Sequence, residues 1–69
     1  MEIDVTILLR KVRKARGFTL VQLANISGVS KSYISQIERE KQMPSIYVLC
    51  QIATALDVKV DELYTYEVK

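Results

Sequence analysis

Two short helical segments separated by one tight turn constrain the fold of this chain more than any other feature. Thr19 followed by Gln22 three residues later matches the capping-box pattern and predicts where the first segment begins. Gly28 comes nine residues after this cap and can take the positive φ that a tight turn requires. Ser30 then caps the second segment, which we expect to be helical over about residues 31–39. Two short helices joined by a turn of this length can pack across each other at a steep angle.

Six small or apolar residues in this stretch have the size and spacing that such a packing needs. They are Leu23, Ala24, Gly28, Val29, Ile34 and Ile37. Ala24 is small where the helices cross, and Val29 fills the angle between them. The two isoleucines hold the second helix against the core. A helical interaction module could show any two of these features by chance, whereas the full set over about residues 19–39 predicts a helix-turn-helix that reads DNA.

The N-terminal part of the chain is expected to form one helix. Its pattern runs from about Asp4, a candidate N-cap, to Arg16, with Gly17 as the C-terminal stop. Apolar residues recur at helical spacing on the inner face, at Leu8, Leu9, Val12 and Ala15. The other face of this helix is basic.

The C-terminal part predicts two more helices and a short tail. Ser45 caps a fourth helix. Its expected buried stripe consists of Ile46, Leu49, Ile52, Ala53 and Leu56. A short fifth helix is expected over about residues 60–64. Aromatic or apolar residues then alternate with polar ones, a period of two that suits a stub of strand, at Tyr64, Tyr66 and Val68. The expected fold is therefore one all-α domain of five helices, with a short C-terminal strand.

Positive charge is concentrated toward the N-terminus, although the whole chain carries only +2. Residues 1–17 hold five basic and two acidic residues, whereas residues 46–69 hold two basic and four acidic residues. This asymmetry suits an anionic partner at one end of the molecule. Five basic residues on one helix are nevertheless more often a solvated face, so charge alone does not establish DNA binding.

Missing residue types exclude several classes of function. The chain has no histidine and one cysteine, which leaves no ligand set for a structural zinc site and no disulfide framework. Without a histidine base, a glycine-rich phosphate loop or paired carboxylates in a cleft, neither catalysis nor a cofactor is expected. Cys50 has no basic neighbour in sequence and is expected to be a small buried residue. No membrane span and no signal peptide are evident, so the cytoplasm is the expected compartment.

Several stretches match one family pattern: Leu9-Arg10-Lys11-Val12-Arg13, Gly17-Phe18-Thr19, Leu23-Ala24, the run from Gly28 to Arg39, Pro44-Ser45 and Ile52-Ala53-Thr54-Ala55-Leu56. On these stretches the chain resembles the lambda-repressor-like, or Cro-type, helix-turn-helix regulators over nearly its whole length. The resemblance implies a compact bundle of five helices whose third helix lies in the DNA major groove. It also implies a transcriptional regulator, most simply a dimeric repressor, encoded by a bacterium or phage and held at the nucleoid through DNA.

The resemblance assigns base reading to three residues on the outer face of the third helix, Lys31, Ser32 and Gln36. Their chemistry supports this assignment separately. Lysine can donate to guanine O6 and N7, glutamine can pair with adenine N6 and N7, and serine suits several bases. The alternative is that these side chains only form a polar surface.

Phosphate contacts are expected from other residues, because they fix the register on the duplex while base contacts specify the sequence. The candidates are the side chains of Tyr33, Ser35, Arg39, Lys41, Arg10 and Lys14 and the backbone amide at Leu20. Arg13 is instead assigned to structure, since the family commonly pairs this arginine with the glutamate at Glu38.

Three positions depart from the family pattern. Leu20 stands where the family often has a glutamine that contacts phosphate, so this side-chain contact is lost or replaced by an apolar one. Glu40 and Asp57 replace the glycines that usually follow the third and fourth helices. A non-glycine residue in the left-handed conformation costs roughly 1–2 kcal/mol, so these two turns are expected to be reshaped.

A two-fold dimer on a palindromic operator is expected, because useful specificity typically requires two half-sites about 34 Å apart. The natural interface is the acidic segment over about residues 60–69, through the apolar or aromatic residues Leu63, Tyr64, Tyr66 and Val68. Alternatively, Tyr64 simply caps the core. Residues 66–68 could pair with the same strand of a second chain. No sensor domain is expected beside the DNA-binding unit, so regulation is expected to act through association, concentration or a protein partner.

Two other functions fit the same residues. One is a controller protein of a restriction-modification or toxin–antitoxin system, which would still bind DNA. The other is a helical adaptor that uses this scaffold to bind a protein. A DNA-binding protein loses affinity steeply as salt rises, which separates it from the adaptor.

Overall fold

Four α-helices surround the core, and the computed structural model, which describes residues 1–69, adds a two-stranded sheet made from the two ends of the chain. The elements are β1 (Ile3–Ile7), α1 (Leu9–Ala15), α2 (Leu20–Ser27), α3 (Lys31–Glu38), α4 (Ile46–Leu56), a single 3₁₀ turn (Val60–Glu62) and β2 (Tyr64–Val68). None of the helices has both the length and the apolar content that crossing a membrane would require.

The prediction of five helices is wrong at the fifth element. Only Val60–Glu62 turn, and they form a 3₁₀ helix rather than an α-helix. The chain becomes extended at Tyr64 because β2 begins there and pairs with β1. Tyr64 therefore belongs to the strand and not to the end of a helix, and the predicted stub of strand is a full five-residue strand.

The N-terminal helix begins at Leu9 and not near Asp4, because residues 3–7 form β1. β1 runs antiparallel to β2, with Ile3 opposite Val68 and Ile7 opposite Tyr64. Isoleucine, valine and threonine favour strands because their branched side chains suit a pleated surface. At the end of the sheet the Leu8 amide donates a hydrogen bond of 2.8 Å to the Leu63 carbonyl, which joins the sheet to the helical bundle.

Ten apolar residues form a single core to which all four helices contribute. They are Leu9, Leu23, Val29, Ile34, Ile37, Leu49, Ile52, Ala53, Leu56 and Leu63. The three isoleucines and four of the leucines are fully buried. Ala24 and Phe18 pack against this core from its edge. The core holds α2 and α3 at a fixed angle, which is the arrangement that exposes one face of α3.

Local hydrogen bonds determine where the helices begin. At α2 the Thr19 hydroxyl accepts from the Gln22 amide at 3.1 Å, and the Gln22 side chain accepts from the Thr19 amide at 2.9 Å. Ser30 and Ser45 cap α3 and α4 in the same way through their hydroxyls. These caps satisfy amides that have no partner within the helix.

Three helices end in the Schellman arrangement, with a residue of positive φ just beyond the last turn. Gly17 occupies this position after α1, Glu40 after α3 and Asp57 after α4. At α3 the Lys41 amide donates to the Gln36 carbonyl at 2.9 Å and the Glu40 amide donates to the Ile37 carbonyl at 3.0 Å. Glu40 (φ 56°) and Asp57 (φ 58°) are thus left-handed, so these turns keep a shape suited to glycine and are not reshaped as expected.

Candidate nucleic-acid interface

Helix α3 has one buried and one exposed face. Ile34 and Ile37 are fully buried, whereas the three residues predicted to read bases, Lys31, Ser32 and Gln36, are exposed. Ser32 and Gln36 lie one turn apart on the same side of the helix, and Lys31 lies beside them at its first residue. The polar side chains of α3 are therefore presented together on a rigid element that is held from behind by the core.

The start of α3 is held by the turn that precedes it. Gly28 has a φ of 76°, and its amide donates to the Ala24 carbonyl at the end of α2. The Ser27 hydroxyl accepts from the Val29 amide at 3.1 Å, and the Ser30 hydroxyl accepts from the Tyr33 amide at 3.1 Å. Because each residue of the turn is anchored, Lys31 and Ser32 have a defined position at the tip of the helix.

Four of the basic residues predicted to contact DNA are exposed and form no ion pair within the chain. They are Lys14, Lys31, Arg39 and Lys41. Arg10 is half-exposed, and its Nε lies 3.4 Å from Glu38, so its charge is partly engaged. Tyr33 and Ser35 are half-buried on the sides of α3. These four free positive charges are thus on α1, on α3 and just beyond the end of α3.

The first turn of α2 supplies backbone donors to the same region. The Leu20 amide lies at the first position of the helix, where no intrahelical acceptor exists. A helix N-terminus of this kind favours an anion such as phosphate. The Leu20 side chain is half-buried and packs against the core, so it holds the end of α2 in place.

An ion pair with two parallel hydrogen bonds connects α1 to α3. Arg13 donates from Nε to Glu38 at 2.6 Å and from Nη2 to the other carboxylate oxygen at 3.1 Å. Its remaining Nη1 donates to the Phe18 carbonyl at 2.9 Å. The Glu38 side chain is only 2% exposed. The pair therefore acts as a brace that positions α3, and all three guanidinium nitrogens of Arg13 are engaged within the chain.

Two other residues have surroundings that the sequence did not suggest. Arg16 donates to the carbonyls of Leu56 and Asp57 at 3.0 and 3.2 Å, which ties α1 to the C-terminal end of α4. Cys50 is exposed, so the prediction that it is buried is wrong. Leu49, Ile52, Ala53 and Leu56 form the buried stripe of α4, and Cys50 lies outside it. Ile46 was also expected in this stripe, but it is 65% exposed at the start of the helix, so that prediction is wrong too.

The four residues predicted to form the dimer interface differ in how exposed they are. Leu63 is fully buried in the core and exposes no area to a partner. Tyr64 is half-buried, whereas Tyr66 and Val68 are 58% and 59% exposed. Residues 66–68 pair with β1 of the same chain, so one edge of β2 is occupied from within.

Residues 9–63 match the family model described as Helix-turn-helix, HTH_3. Among curated proteins, the HTH-type transcriptional regulator SlrR of Bacillus subtilis is 43% identical over 61 residues, which are 87% of this chain and 40% of SlrR. The HTH-type transcriptional regulator SinR of the same species is 45% identical over 56 residues, or 80% of this chain and 50% of SinR. The chain thus spans half of these relatives or less.

Two solved structures have a similar fold. The restriction-modification controller protein C.AhdI from Aeromonas hydrophila superimposes with a TM-score of 0.76 at 37% identity and covers 78% of both chains. The structure of SinR in complex with DNA gives a TM-score of 0.73 at 44% identity, over 77% of this chain and 86% of that one. The family match over residues 9–63 includes both α2 and α3.

Proposed function

The chain belongs to the HTH_3 helix-turn-helix family, and we propose that it binds double-stranded DNA with α3 in the major groove and acts as a transcriptional regulator, most simply a repressor. The observation that carries the proposal is the exposed face of α3, where Lys31, Ser32 and Gln36 project from a helix that the core and the Arg13–Glu38 brace hold in place. The DNA-bound structure of the relative SinR supports it.

The roles within this face follow from side-chain chemistry. Gln36 can form two hydrogen bonds with the N6 and N7 of adenine, and Lys31 can donate to the O6 and N7 of guanine. The hydroxyl of Ser32 can contact several bases. Arg39 and Lys41 lie at the end of α3, where they are placed to hold phosphates and fix the register of the helix.

The proposal includes a homodimer on a palindromic operator. One recognition helix covers a few base pairs, and two copies related by a two-fold axis would read half-sites about 34 Å apart. The C-terminal segment, about residues 60–69, is proposed to carry the dimer contact. Regulation would then act through protein concentration or a protein partner, on the bacterial or phage DNA of the cytoplasm.

The similarity to C.AhdI favours a second candidate function, the controller of a restriction-modification system. Such a controller would use the same α3 surface, so the two candidates differ in which genes lie beside the bound DNA. Sequencing the genomic fragments that the purified protein retains separates them. Fragments next to restriction endonuclease and methyltransferase genes would support the controller.

The salt dependence of binding tests whether DNA is the partner at all. A dimer that contacts 6–10 phosphates should lose a factor of about 10³–10⁵ in affinity between 50 and 200 mM salt. Fluorescence anisotropy of a labelled genomic fragment would measure this loss. Replacing Arg39 with alanine should weaken binding to all sequences and reduce the salt slope by about 1.

Lys59 provides a matched control, since it is also an exposed cation but lies on the acidic C-terminal part of the chain. Lys59→Ala should leave both the affinity and the salt slope unchanged. If the unmodified protein binds no DNA even at low salt, the adaptor function would replace the one proposed here.

A further inference from the structure

The two-stranded sheet has one apolar face and one polar face. Because side chains alternate along each strand, the five paired positions divide into three cross-strand pairs on one face and two on the other. Glu2 and Lys69, hydrogen-bonded to each other just beyond the strands, extend the second face. The apolar face comprises Ile3, Val5, Ile7, Tyr64, Tyr66 and Val68. The polar face comprises Glu2, Asp4, Thr6, Thr65, Glu67 and Lys69. Every charge of the sheet is therefore on one side, including the ion pair between Asp4 and Lys69.

Exposure on the apolar face increases away from the helical bundle. Ile7 and Tyr64, the pair closest to the bundle, are half-buried. The next pair is more open, with Val5 at 37% and Tyr66 at 58% exposed, and the outermost pair, Ile3 and Val68, is 50% and 59% exposed. The sheet thus projects from the bundle as a ribbon, and four large apolar side chains remain uncovered.

An isolated two-stranded ribbon is only marginally stable in water, and packing of its apolar face is what normally stabilises it. No other element of this chain covers the outer part of that face. The sequence nevertheless places an apolar or aromatic residue at every position of it and keeps all charge on the opposite side. An uncharged apolar face that stays exposed is typical of a protein–protein interface.

We propose that a second copy of the chain covers this face, so that two ribbons pack face to face about a two-fold axis. The inference deepens the homodimer proposed above and adds β1 to the contact through Ile3 and Val5. The face carries no cation that could bind a phosphate or an anionic lipid headgroup, and three of the four charged residues on the opposite, polar face are acidic. An identical uncharged face is complementary to it, as a two-fold interface requires.

The size of the face determines how strong this dimer is. Four large side chains that are each about half-exposed offer roughly 300–400 Å² per copy, if full exposure is about 150–200 Å² each. A standard stable interface buries about 800 Å² per partner. The ribbon contact is therefore about half of a standard interface or less, so we expect a weak, reversible dimer and an operator binding that depends steeply on protein concentration.

Analytical ultracentrifugation of the whole chain without DNA, from about 1 to 500 μM, tests the proposal by comparing Tyr66→Lys with Thr65→Lys. The two residues are neighbours on β2, but they lie on opposite faces of the ribbon. The unmodified protein and Thr65→Lys should change from monomer to dimer over this range. Tyr66→Lys should remain monomeric, with a dissociation constant raised at least tenfold.

Two further variants serve as a replacement for Tyr66→Lys and as a control on a different surface. If circular dichroism shows that Tyr66→Lys is unfolded, Val68→Lys at the tip of the ribbon replaces it and should also be monomeric. Tyr47→Lys changes an equally large tyrosine that is 72% exposed on α4, and it should associate like the unmodified protein. Loss of association in Tyr47→Lys alone, or a wild-type protein that is monomeric at every concentration, would overturn the proposal.

Dimerisation through the ribbon and DNA binding through α3 can be tested independently of each other. A monomeric Tyr66→Lys protein should still bind a DNA fragment at low salt, because its α3 face and its free basic residues are unchanged. If the ribbon does not mediate dimerisation, DNA binding through α3 can therefore still be observed. Failure of DNA binding in the unmodified protein would leave the ribbon dimer measurable.

Discussion

Glu38 joins α3 to α1 through a buried ion pair with Arg13. Its carboxylate is almost completely removed from solvent and is neutralised by two hydrogen bonds from Arg13. A buried ion pair of this kind stabilises little compared with apolar packing, but breaking it from one side leaves an uncompensated buried charge. The pair therefore makes the position of the DNA-facing helix sensitive to a residue that does not itself face DNA.

Arg13→Ala should destabilise the domain by about 3–5 kcal/mol, since the Glu38 carboxylate would stay buried without its main partner. A domain of this size rarely has more than about 3–5 kcal/mol of stability, so most of the variant should be unfolded at 25 °C. Urea denaturation followed by circular dichroism measures the loss.

Arg10→Ala is the matched control, because Arg10 approaches the same carboxylate only at 3.4 Å and from a half-exposed position. Exposed pairs of this kind contribute about 0–1 kcal/mol. An Arg13→Ala protein as stable as Arg10→Ala would show that the pair does not brace α3.

At the scale of the elements, the ends of the helices are where this chain is strained. Glu40 and Asp57 hold left-handed conformations after α3 and α4, whereas α1 ends with glycine. Aspartate tolerates this conformation better than glutamate does. Asp57 also lies 3.6 Å from the Arg16 guanidinium, so the two positions are not equivalent.

Glu40→Gly should stabilise the domain by about 0.5–1 kcal/mol. The substitution removes roughly 1–2 kcal/mol of backbone strain, and part of this gain is lost because glycine has more freedom in the unfolded chain. Asp57→Gly should gain less, or nothing, because it also removes the contact with Arg16. Urea midpoints of the two variants measure the difference, and a destabilised Glu40→Gly protein would contradict the assigned strain.

Local signals were enough to predict α2, α3 and α4. The caps at Thr19, Ser30 and Ser45 and the turn at Gly28 depend on residues within four positions of one another, so the sequence shows them directly. The exposed face of α3 followed from helical periodicity in the same way. On α3 the outward-pointing side chains could therefore be predicted, whereas on α4 Cys50 and Ile46 were expected to be buried and are exposed.

The sheet could not be predicted because its pairing joins the two ends of the chain. Ile3 is opposite Val68, 65 positions away, and neither strand is stable without the other. Asp4 resembled a helix cap, and the alternation of apolar and polar residues in β1 was hidden by the helical pattern that follows it. The Arg16 contacts with the end of α4 likewise depend on the tertiary fold.

At the scale of the whole molecule, two surfaces with different chemistry share one small core. The first presents the polar face of α3 with unpaired basic residues on α1 and beyond α3, and the second is the uncharged apolar face of the ribbon. A regulator that binds two half-sites needs one surface for DNA and one for a second copy of itself. The α3 surface is proposed for the first and the ribbon face for the second. The core connects the two surfaces, because β1 leads into the core residue Leu9 and β2 follows the core residue Leu63.

The central claim, that α3 reads DNA bases, is tested most directly by sequencing the genomic fragments retained by the unmodified protein and by Gln36→Ala. The unmodified protein should enrich a common motif. Gln36→Ala should lose preference at particular positions of that motif, at a cost of about 1–3 kcal/mol there, while binding other positions as before. An unchanged motif for Gln36→Ala, or no enriched motif for the unmodified protein, would contradict the claim.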